Sequence, residues 1–375
     1  MMSAKKKKNE DDEKGSQEFH WKKAHPSYPI RLPAAQESFH RDRRGTCSRA
    51  IAYRQQMGTK LLQRVTVIGL LGVLTLSAIT GVFLAEVTLH PGRHLESPRD
   101  EIRAREVTRR QDSELTDVAI PARDGAPLRA WSIRPGNGNG NAVILLHGLA
   151  DNRFGMTRYA ELFLSRGYSV LMPDARAHGT SGGNLATFGL LESDDIHRWL
   201  DWLEQNDHPE CAFGLGESMG AALLLQSVRY ETRFCAVAAE SPFASFREIG
   251  YDRVGQFFHT GPWLGRTLLR PIIAFAFVYA RWKYKLDFEQ VSPESAVAET
   301  KTPVFLIHGQ TDSNIPVRHS RLIAARNPAV SLWEVPNTDH CGAIGTSPDE
   351  FSEKLIRWFE NHASAPSRVA VQVAH

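Results

Sequence analysis

The longest apolar stretch of the chain lies near its N-terminus. Val65–Ala85 reads VTVIGLLGVLTLSAITGVFLA and contains no charged residue. At about 1.5 Å per residue, a helix of this length crosses a hydrocarbon core of about 30 Å. The run is apolar on every face and no helical segments flank it, which favours a membrane span over a buried core helix. Because a long tail precedes the run, a cleaved signal peptide is disfavoured. We predict one transmembrane helix at 65–85.

Beyond the span, short apolar runs alternate with helical patterns. Two strands, Asp117–Ile120 and Leu128–Arg134, flank a turn. Further strands are predicted at 142–146, 168–172, 211–216, 235–239, 303–307 and 330–335. Helices are predicted at 156–166, 190–205, 219–229, 317–326 and 350–362. Alternating strands and helices predict an α/β fold with a mostly parallel sheet covered on both faces.

These patterns divide the chain into five segments. We predict a basic, disordered tail at 1–64, the span at 65–85, a charged linker at 86–115, a globular domain at 116–362 and a C-terminal tail at 363–375. The total charge of +3 is too small to indicate nucleic-acid binding.

The N-terminal tail differs in charge from the rest of the chain. Residues 1–64 carry 15 basic and 7 acidic residues, whereas the remainder carries 30 and 35. The tail is therefore either a solvated segment or one that contacts anionic lipid headgroups. Basic flanks favour the cytoplasmic side of a membrane, so we expect a cytoplasmic N-terminus and an extracytoplasmic globular domain.

Four cysteines bear on cofactors and redox state: Cys47, Cys211, Cys235 and Cys341. None forms a Cys-x-x-Cys pair, so no zinc or redox motif is indicated, and we expect no metal or organic cofactor. Cys211 and Cys235 begin neighbouring predicted strands, so a disulfide between them can form if the domain is exported. Two unbonded, buried thiols are the more ordinary interpretation.

One motif carries candidate chemistry. The apolar run from Cys211 leads into Gly216-Glu217-Ser218-Met219-Gly220, and a helical pattern follows. This is G-x-S-x-G in a strand–turn–helix context, where the serine sits on a sharp, strained turn and flanking glycines avoid clashes. The helix that begins at about Met219 points its N-terminus toward a developing oxyanion. We predict Ser218 as a nucleophile.

With this motif, the segment from about Asp117 to His362 resembles the α/β-hydrolase family. It is most similar to the serine-aminopeptidase and monoacylglycerol-lipase-like branch. The family order is serine, acid, histidine, and Asp312 in VFLIHGQTD and His340 in LWEVPNTDH supply it. The resemblance implies that His340 takes the proton of Ser218 and that Asp312 orients the imidazole.

The resemblance also identifies a rival acid and an oxyanion hole. Glu240 follows the strand at 235–239, where some family members place the acid, but Asp312 is preferred. The two oxyanion donors would be the backbone amides of Leu149, which follows His147-Gly148, and of Met219. Neighbouring polar residues are interpreted as structural: Asp174, Arg176, His147, His178 and His308. Asp339 is assigned no role.

A long segment separates the strands predicted at 235–239 and 303–307. Its part Trp263–Tyr284 is apolar and aromatic, with basic residues interspersed. Family members carry a cap here, so we expect a cap at about 243–290. It would be either a lid with an apolar pocket, suited to acyl chains or a membrane surface, or helices packed on the sheet.

These expectations lead to one function and two alternatives. The first is a serine hydrolase that cleaves a carboxylic ester, of a lipid or a small acyl compound, through an acyl-enzyme. The alternative is a peptidase, because this branch includes aminopeptidases. A non-catalytic membrane scaffold is the third possibility, which the presence of a nucleophile, an acid and a base disfavours. The sequence does not indicate the oligomeric state.

Overall fold

The computed structural model describes residues 39–363, and within them eight strands form one sheet. The strands are β1 (Ser113–Pro121), β2 (Pro127–Pro135), β3 (Asn141–Leu146), β4 (Ser169–Pro173), β5 (Cys211–Glu217), β6 (Phe234–Glu240), β7 (Val304–Gly309) and β8 (Ser331–Val335). Helices α1 to α6 are Phe39–Leu89, Pro98–Arg110, Thr157–Leu164, Glu192–Asn206, Met219–Ser227 and Phe246–Phe257. Helices α7 to α12 are Trp263–Arg266, Arg270–Tyr284, Pro293–Glu299, Arg318–Ala324, Ala343–Thr346 and Pro348–Ala363, and 3-10 helices occupy Arg153–Met156 and Phe288–Gln290.

The sheet has the order β1-β2-β4-β3-β5-β6-β7-β8. All pairings from β4 to β8 are parallel, whereas β2, near one edge, is antiparallel to both of its neighbours, β1 and β4. The mostly parallel sheet predicted from the alternating pattern is therefore confirmed. Parallel pairing brings the carboxyl ends of β3, β5, β6, β7 and β8 to the same edge, where a site can be built from loops that are distant in sequence.

The core has two parts, one on each face of the sheet. Ile144 and Leu146 belong to one apolar cluster, and Val143 and Leu145 belong to the other. This division follows from the strand geometry, because successive side chains point to opposite faces. Strands buried on both faces explain why the predicted strands are continuous apolar runs rather than alternating ones.

Cys211 and Cys235 are joined in a disulfide across β5 and β6. Their Cα atoms lie 5.7 Å apart, within the usual range for a bonded pair. The preferred interpretation of two unbonded thiols is therefore wrong. The parallel register of the two strands brings the cysteines together, and spacing along the chain does not reveal that register.

The described part of the chain divides into two units, with the boundary between Ile68 and Gly69. Helix α1 begins at Phe39, so the predicted disorder is wrong for the residues between Phe39 and Arg64, while residues 1–38 lie outside the described part. The residues Ile51–Leu89 are long and apolar enough to cross a membrane. This stretch is a candidate span by length and composition, and it contains the predicted 65–85.

The segment predicted as a charged linker is folded onto the domain. Ser97 and Asp100 form a capping box that starts α2, and Ala104 and Val107 of that helix are buried. Arg93 donates to the backbone carbonyl oxygens at positions 181 and 183 at 2.5 Å. The linker prediction was wrong. The segment buries few apolar residues and is held to the domain partly by polar bonds, so its sequence lacks the apolar pattern that indicates a folded element.

Candidate active site

The predicted nucleophile lies on a strained turn between β5 and α5. Ser218 has φ 52° and ψ −112°, a left-handed conformation that costs free energy for a residue with a side chain. Its backbone amide donates to the Glu240 carbonyl oxygen at 2.8 Å, which ties the turn to the end of β6. The hydroxyl is thereby held at the carboxyl edge of the sheet.

The two motif glycines are required by close backbone contacts. A Cβ atom at Gly220 would overlap the carbonyl oxygens of Leu146 and His147, and one at Gly216 would overlap the backbone of Gly220. Helix α5 can therefore start directly against the ends of β3 and β5. This packing is the physical reason for the spacing of the G-x-S-x-G motif.

Three of the predicted residues form a continuous hydrogen-bonded chain. The His340 Nε2 atom lies 2.9 Å from the Ser218 Oγ atom, and its Nδ1 atom lies 2.8 Å from the Asp312 Oδ2 atom. The carboxylate can only accept, so Nδ1 carries the proton and Nε2 is free to accept from the serine hydroxyl. This tautomer is the one that a general base for Ser218 requires.

Asp312 is held as an anion by several donors. Its Oδ1 atom accepts from the amides of Asn314 and Ile315 at 2.9 and 2.7 Å, and its Oδ2 atom also lies 3.2 Å from the His308 Nε2 atom. Burial by itself would raise the pKa of Asp312, but the hydrogen bonds from His308 and His340 outweigh it and hold the pKa well below its usual range. His308, interpreted as loop-shaping, thus contacts the acid directly.

The two residues predicted to supply oxyanion donors both adjoin the serine. Met219 is the first residue of α5, and a Cβ atom added to Gly148 would lie 3.6 Å from the Ser218 Cβ atom, so the Gly148-Leu149 peptide adjoins the nucleophile. Leu149 is half exposed toward the same cavity.

His147 orients that peptide. Its Nε2 atom accepts from the Ala175 amide at 3.0 Å, so its Nδ1 atom carries the proton and donates to the Gly148 carbonyl oxygen at 2.8 Å. In a trans peptide the carbonyl and the following N–H point in opposite directions. The Leu149 amide is therefore turned away from His147. Burial lowers the pKa of His147, which keeps the ring neutral for this role.

The rival acid, Glu240, is not bonded to the base. It is buried and accepts from the Ala343 amide at 3.0 Å and from the Tyr159 hydroxyl at 2.8 Å. The same hydroxyl lies 3.2 Å from the Glu217 carboxylate. Burial and the neighbouring Glu240 raise the pKa of Glu217 to about 8, and burial raises the pKa of Glu240 as well.

Asp339 has a role that the sequence interpretation missed. Its Oδ1 atom accepts from the backbone amides of His340 and Ser313 at 2.8 Å each. It thereby ties the loop of the base to the loop of Asp312. Aspartate is common in turns, so its presence beside His340 in the sequence does not indicate a special role. Only the hydrogen bond to Ser313, which the fold creates, shows that Asp339 connects the two loops.

Asp174 and Arg176, which were predicted as structural, have that character. Asp174 accepts from the amides of Arg153 and Thr180 at 2.8 Å, and Arg176 pairs with Asp195 through two bonds of 2.7 Å. Among residues 39–363 no group of three or more His, Cys, Asp or Glu side chains is arranged to hold a metal ion.

A cavity of about 600 Å³ opens on Ser218 and His340. Its walls are mostly apolar and come from the cap helices α6 and α8, from Leu149 and Met219, and from the last turns of α1. Three ionisable side chains, Asp151, Glu217 and Arg253, also line it. The cap therefore encloses a pocket, as one of the two interpretations of the cap expected.

Comparison with known proteins gives the same architecture. Residues 143–354 match the sequence model of the family described as "Alpha/beta hydrolase family". The uncharacterised protein YqkD of Bacillus subtilis is 30% identical over 255 residues, which cover 67% of this chain and 81% of that protein.

Two characterised proteins are also similar. A monoacylglycerol lipase of Mycolicibacterium smegmatis is 25% identical over 257 residues, covering 59% of this chain and 88% of the lipase. The structure of the Pyrococcus furiosus esterase Pf2001 superposes with a TM-score of 0.57 at 26% identity, covering 73% of this chain and 98% of the esterase.

Proposed function

The chain belongs to the α/β-hydrolase family and is a hydrolase, and from this premise we propose that it is a serine esterase. Ser218 would be the nucleophile, His340 the general base and acid, and Asp312 the residue that orients His340. The observation that carries the proposal is the unbroken hydrogen-bonded chain from Asp312 through His340 to Ser218 at the floor of an apolar cavity.

The geometry suggests how such a reaction would proceed. The Ser218 oxygen attacks the ester carbonyl carbon while its proton passes to the His340 Nε2 atom. The amides of Leu149 and Met219 would donate to the resulting oxyanion, and Asp312 would stabilise the imidazolium. His340 then returns the proton to the leaving alkoxide, and an acyl-enzyme remains. A water molecule, deprotonated by His340, releases the carboxylic acid and restores Ser218.

Charge at the cavity favours an ester over a peptide substrate. A peptidase of the aminopeptidase type needs an ionised carboxylate to hold the substrate's amino terminus. Two carboxyl groups line the cavity, Asp151 and Glu217, and the one that adjoins Ser218 in the chain, Glu217, has a pKa of about 8 and is mostly uncharged at neutral pH. An uncharged carboxyl group and apolar walls suit an acyl chain better than an ammonium group.

The full-length protein in detergent provides the test. We expect a fluorophosphonate probe to label the wild type and the Ser227→Ala control, in which a buried serine of α5 outside the site is replaced, but not Ser218→Ala. Labelling retained in Ser218→Ala would refute the nucleophile assignment. Hydrolysis of p-nitrophenyl esters should exceed that of aminoacyl-nitroanilides, and the opposite ratio would favour the peptidase.

We further infer that α1 anchors the enzyme with its N-terminus in the cytoplasm and the catalytic domain outside it. The excess of basic residues before the span and the Cys211–Cys235 disulfide both fit an exported domain. Protease added to intact cells or spheroplasts should then digest the domain. Survival of the domain together with loss of the N-terminal tail would reverse the assigned orientation.

A further inference from the structure

The last turns of α1 form part of the cavity wall at Ser218. Leu84, Ala85 and Thr88 line the cavity, and their spacing places them on one face of the helix. Ile273, Ala276 and Phe277 of α8, which are also spaced to share one helix face, line it as well. The helix that is the candidate membrane span is therefore also part of the substrate-binding pocket.

The contact between α1 and α8 is close and polar at one end. A Cβ atom at Gly81 would lie 2.5 Å from the Ile272 carbonyl oxygen and 2.9 Å from the Ala276 amide nitrogen, so the two backbones meet where only glycine fits. Further along, the Glu86 carboxylate accepts from the Tyr279 hydroxyl, and from Lys283 at 2.8 Å. The two helices thus form one fixed wall.

This wall lies at the end of the apolar stretch. Leu84 and Gly81 belong to the predicted span, and at about 1.5 Å per residue both lie within about 6 Å of its last residue, Ala85. If α1 crosses the membrane, the contact with α8 lies at the bilayer surface. The cavity wall then lies at the depth where the acyl chains meet the headgroups, on the side of the membrane that carries the globular domain.

Exposed side chains on both helices fit that position. Phe83 and Val87 of α1 are 63% and 56% exposed, and Val278 and Trp282 of α8 are 64% and 71% exposed. Large apolar side chains at this exposure mark a surface that contacts another apolar phase. A tryptophan next to basic residues, here Arg281 and Lys283, is typical of the membrane–water interface.

We propose that the substrate is a lipid ester that comes from the bilayer itself, with an acyl chain lying against Leu84, Ala85 and Thr88 while its ester carbonyl lies at Ser218. This inference rests on the proposed serine esterase activity. The cavity volume of about 600 Å³ is that of an ordinary ligand pocket and is mostly apolar, as an acyl chain requires. The carboxylic acid and the alcohol that form are the products of the ester cleavage described above.

The first test compares chain-length preference in full-length protein reconstituted in phospholipid vesicles. We expect Leu84→Trp to lower kcat/KM for a long-chain p-nitrophenyl ester about tenfold relative to the butyrate, because the indole displaces about two methylene groups of a bound chain. Val87→Trp, on the exposed face of the same helix, should keep the wild-type ratio. A wild-type ratio in Leu84→Trp would overturn the proposal.

Two further measurements separate the possible failures. If Leu84→Trp also loses butyrate hydrolysis, it is replaced by Thr88→Leu, a smaller change on the same face. We expect Thr88→Leu to lose long-chain preference as well, and a wild-type ratio in this variant would overturn the proposal. Fluorophosphonate labelling is measured in parallel. A wild type that labels at Ser218 but whose ratio is insensitive at both positions would refute the acyl wall and leave the esterase intact.

The source of the lipid is tested with a two-chain ester that exchanges slowly between vesicles. Vesicles containing both protein and ester are compared with ester-free protein vesicles mixed with ester-loaded vesicles that lack protein. We expect hydrolysis in the first preparation and at least about tenfold less in the second, because the chain must enter beside α1. Equal rates would show that the ester arrives from outside the protein's own bilayer.

Discussion

Two buried carboxyl sites flank the loop of His340, and they differ in the number of donors that reach them. Asp312 accepts from the amides of Asn314 and Ile315 and faces the rings of His308 and His340. Glu240 accepts from one amide and one hydroxyl, and it lies beside a second carboxyl group, Glu217.

Burial disfavours the charged form at both sites, so burial does not explain why their pKa values shift in opposite directions. Three N–H groups donate to the Asp312 anion and the His308 Nε2 atom lies 3.2 Å from it, whereas Glu240 accepts from only two donors, so burial prevails there and raises its pKa. Asp312 is thereby suited to stabilise an imidazolium. Glu240 is suited to link strands and loops as a neutral acid.

The largest expected effect separates the two acids. Asp312→Asn should lower kcat for p-nitrophenyl butyrate about 10⁴-fold, because an amide presents the wrong partner to the His340 Nδ1 atom and destabilises the imidazolium. Glu240→Gln, the matched change, should lower kcat by less than about tenfold, since it costs at most one ordinary hydrogen bond. Losses of the same size in both variants would remove the distinction, and a larger loss in Glu240→Gln would make that residue the partner of His340.

An intermediate effect is expected at the second ring beside Asp312. His308→Asn removes an N–H group that donates to the Ile315 carbonyl oxygen at 2.7 Å and lies 3.2 Å from the carboxylate. We expect kcat to fall about 10–100-fold with KM unchanged, which is the value of one hydrogen bond to a charged group. His319 is the control, because it is another buried histidine that bonds to an aspartate, Asp252 at 2.5 Å, outside the hydrogen-bonded chain to Ser218. His319→Asn should keep kcat near the wild-type value. If kcat falls equally in His308→Asn and His319→Asn, His308 contributes only to the stability of the fold.

The last prediction concerns stability, and we expect it to leave the catalytic rate least affected. The native state keeps a proton on Glu217 up to a pKa of about 8, whereas the unfolded chain releases it near the model-peptide value of 4.5. The wild type should therefore lose stability as pH rises between these values, by about 1.4 kcal/mol for each pKa unit of the shift.

Glu217→Gln cannot ionise and lacks this loss. Its melting temperature relative to the wild type should rise from about pH 5 to about pH 8. Glu161→Gln, at a partly exposed position of α3, serves as the control. A difference between Glu217→Gln and wild type that does not vary with pH would mean that Glu217 is ionised in the folded protein.

The parts of the fold that depend on local pattern were predicted correctly. Each predicted strand from 142–146 onward overlaps an observed strand, because strands buried on both faces are recognisable as continuous apolar runs. Helix α2 was missed, although Ser97-Pro98 and Asp100 are ordinary start signals, because its charged composition outweighs the two apolar residues that it buries.

The site was predicted to a similar extent. Ser218, His340 and Asp312 were named from motif and order, and the structure brings them together. The contributions of His308 and His147 were not predicted, because both depend on which ring nitrogen faces which loop. The predicted functions of the oxyanion amides and of the three residues stay predictions until the variants are measured.

The sequence by itself determined what neighbouring residues decide: the strained turn at Ser218, the glycines that permit it, and an apolar helix long enough to cross a membrane. Sterics along a few residues are sufficient for these features. Only the tertiary structure decided that His340, 122 positions from Ser218, reaches its hydroxyl, that Asp312 rather than Glu240 is its partner, and that α1 lines the cavity. Those features depend on strand order and helix packing, because charge and hydrogen bonding act through distances in space that sequence separation does not report.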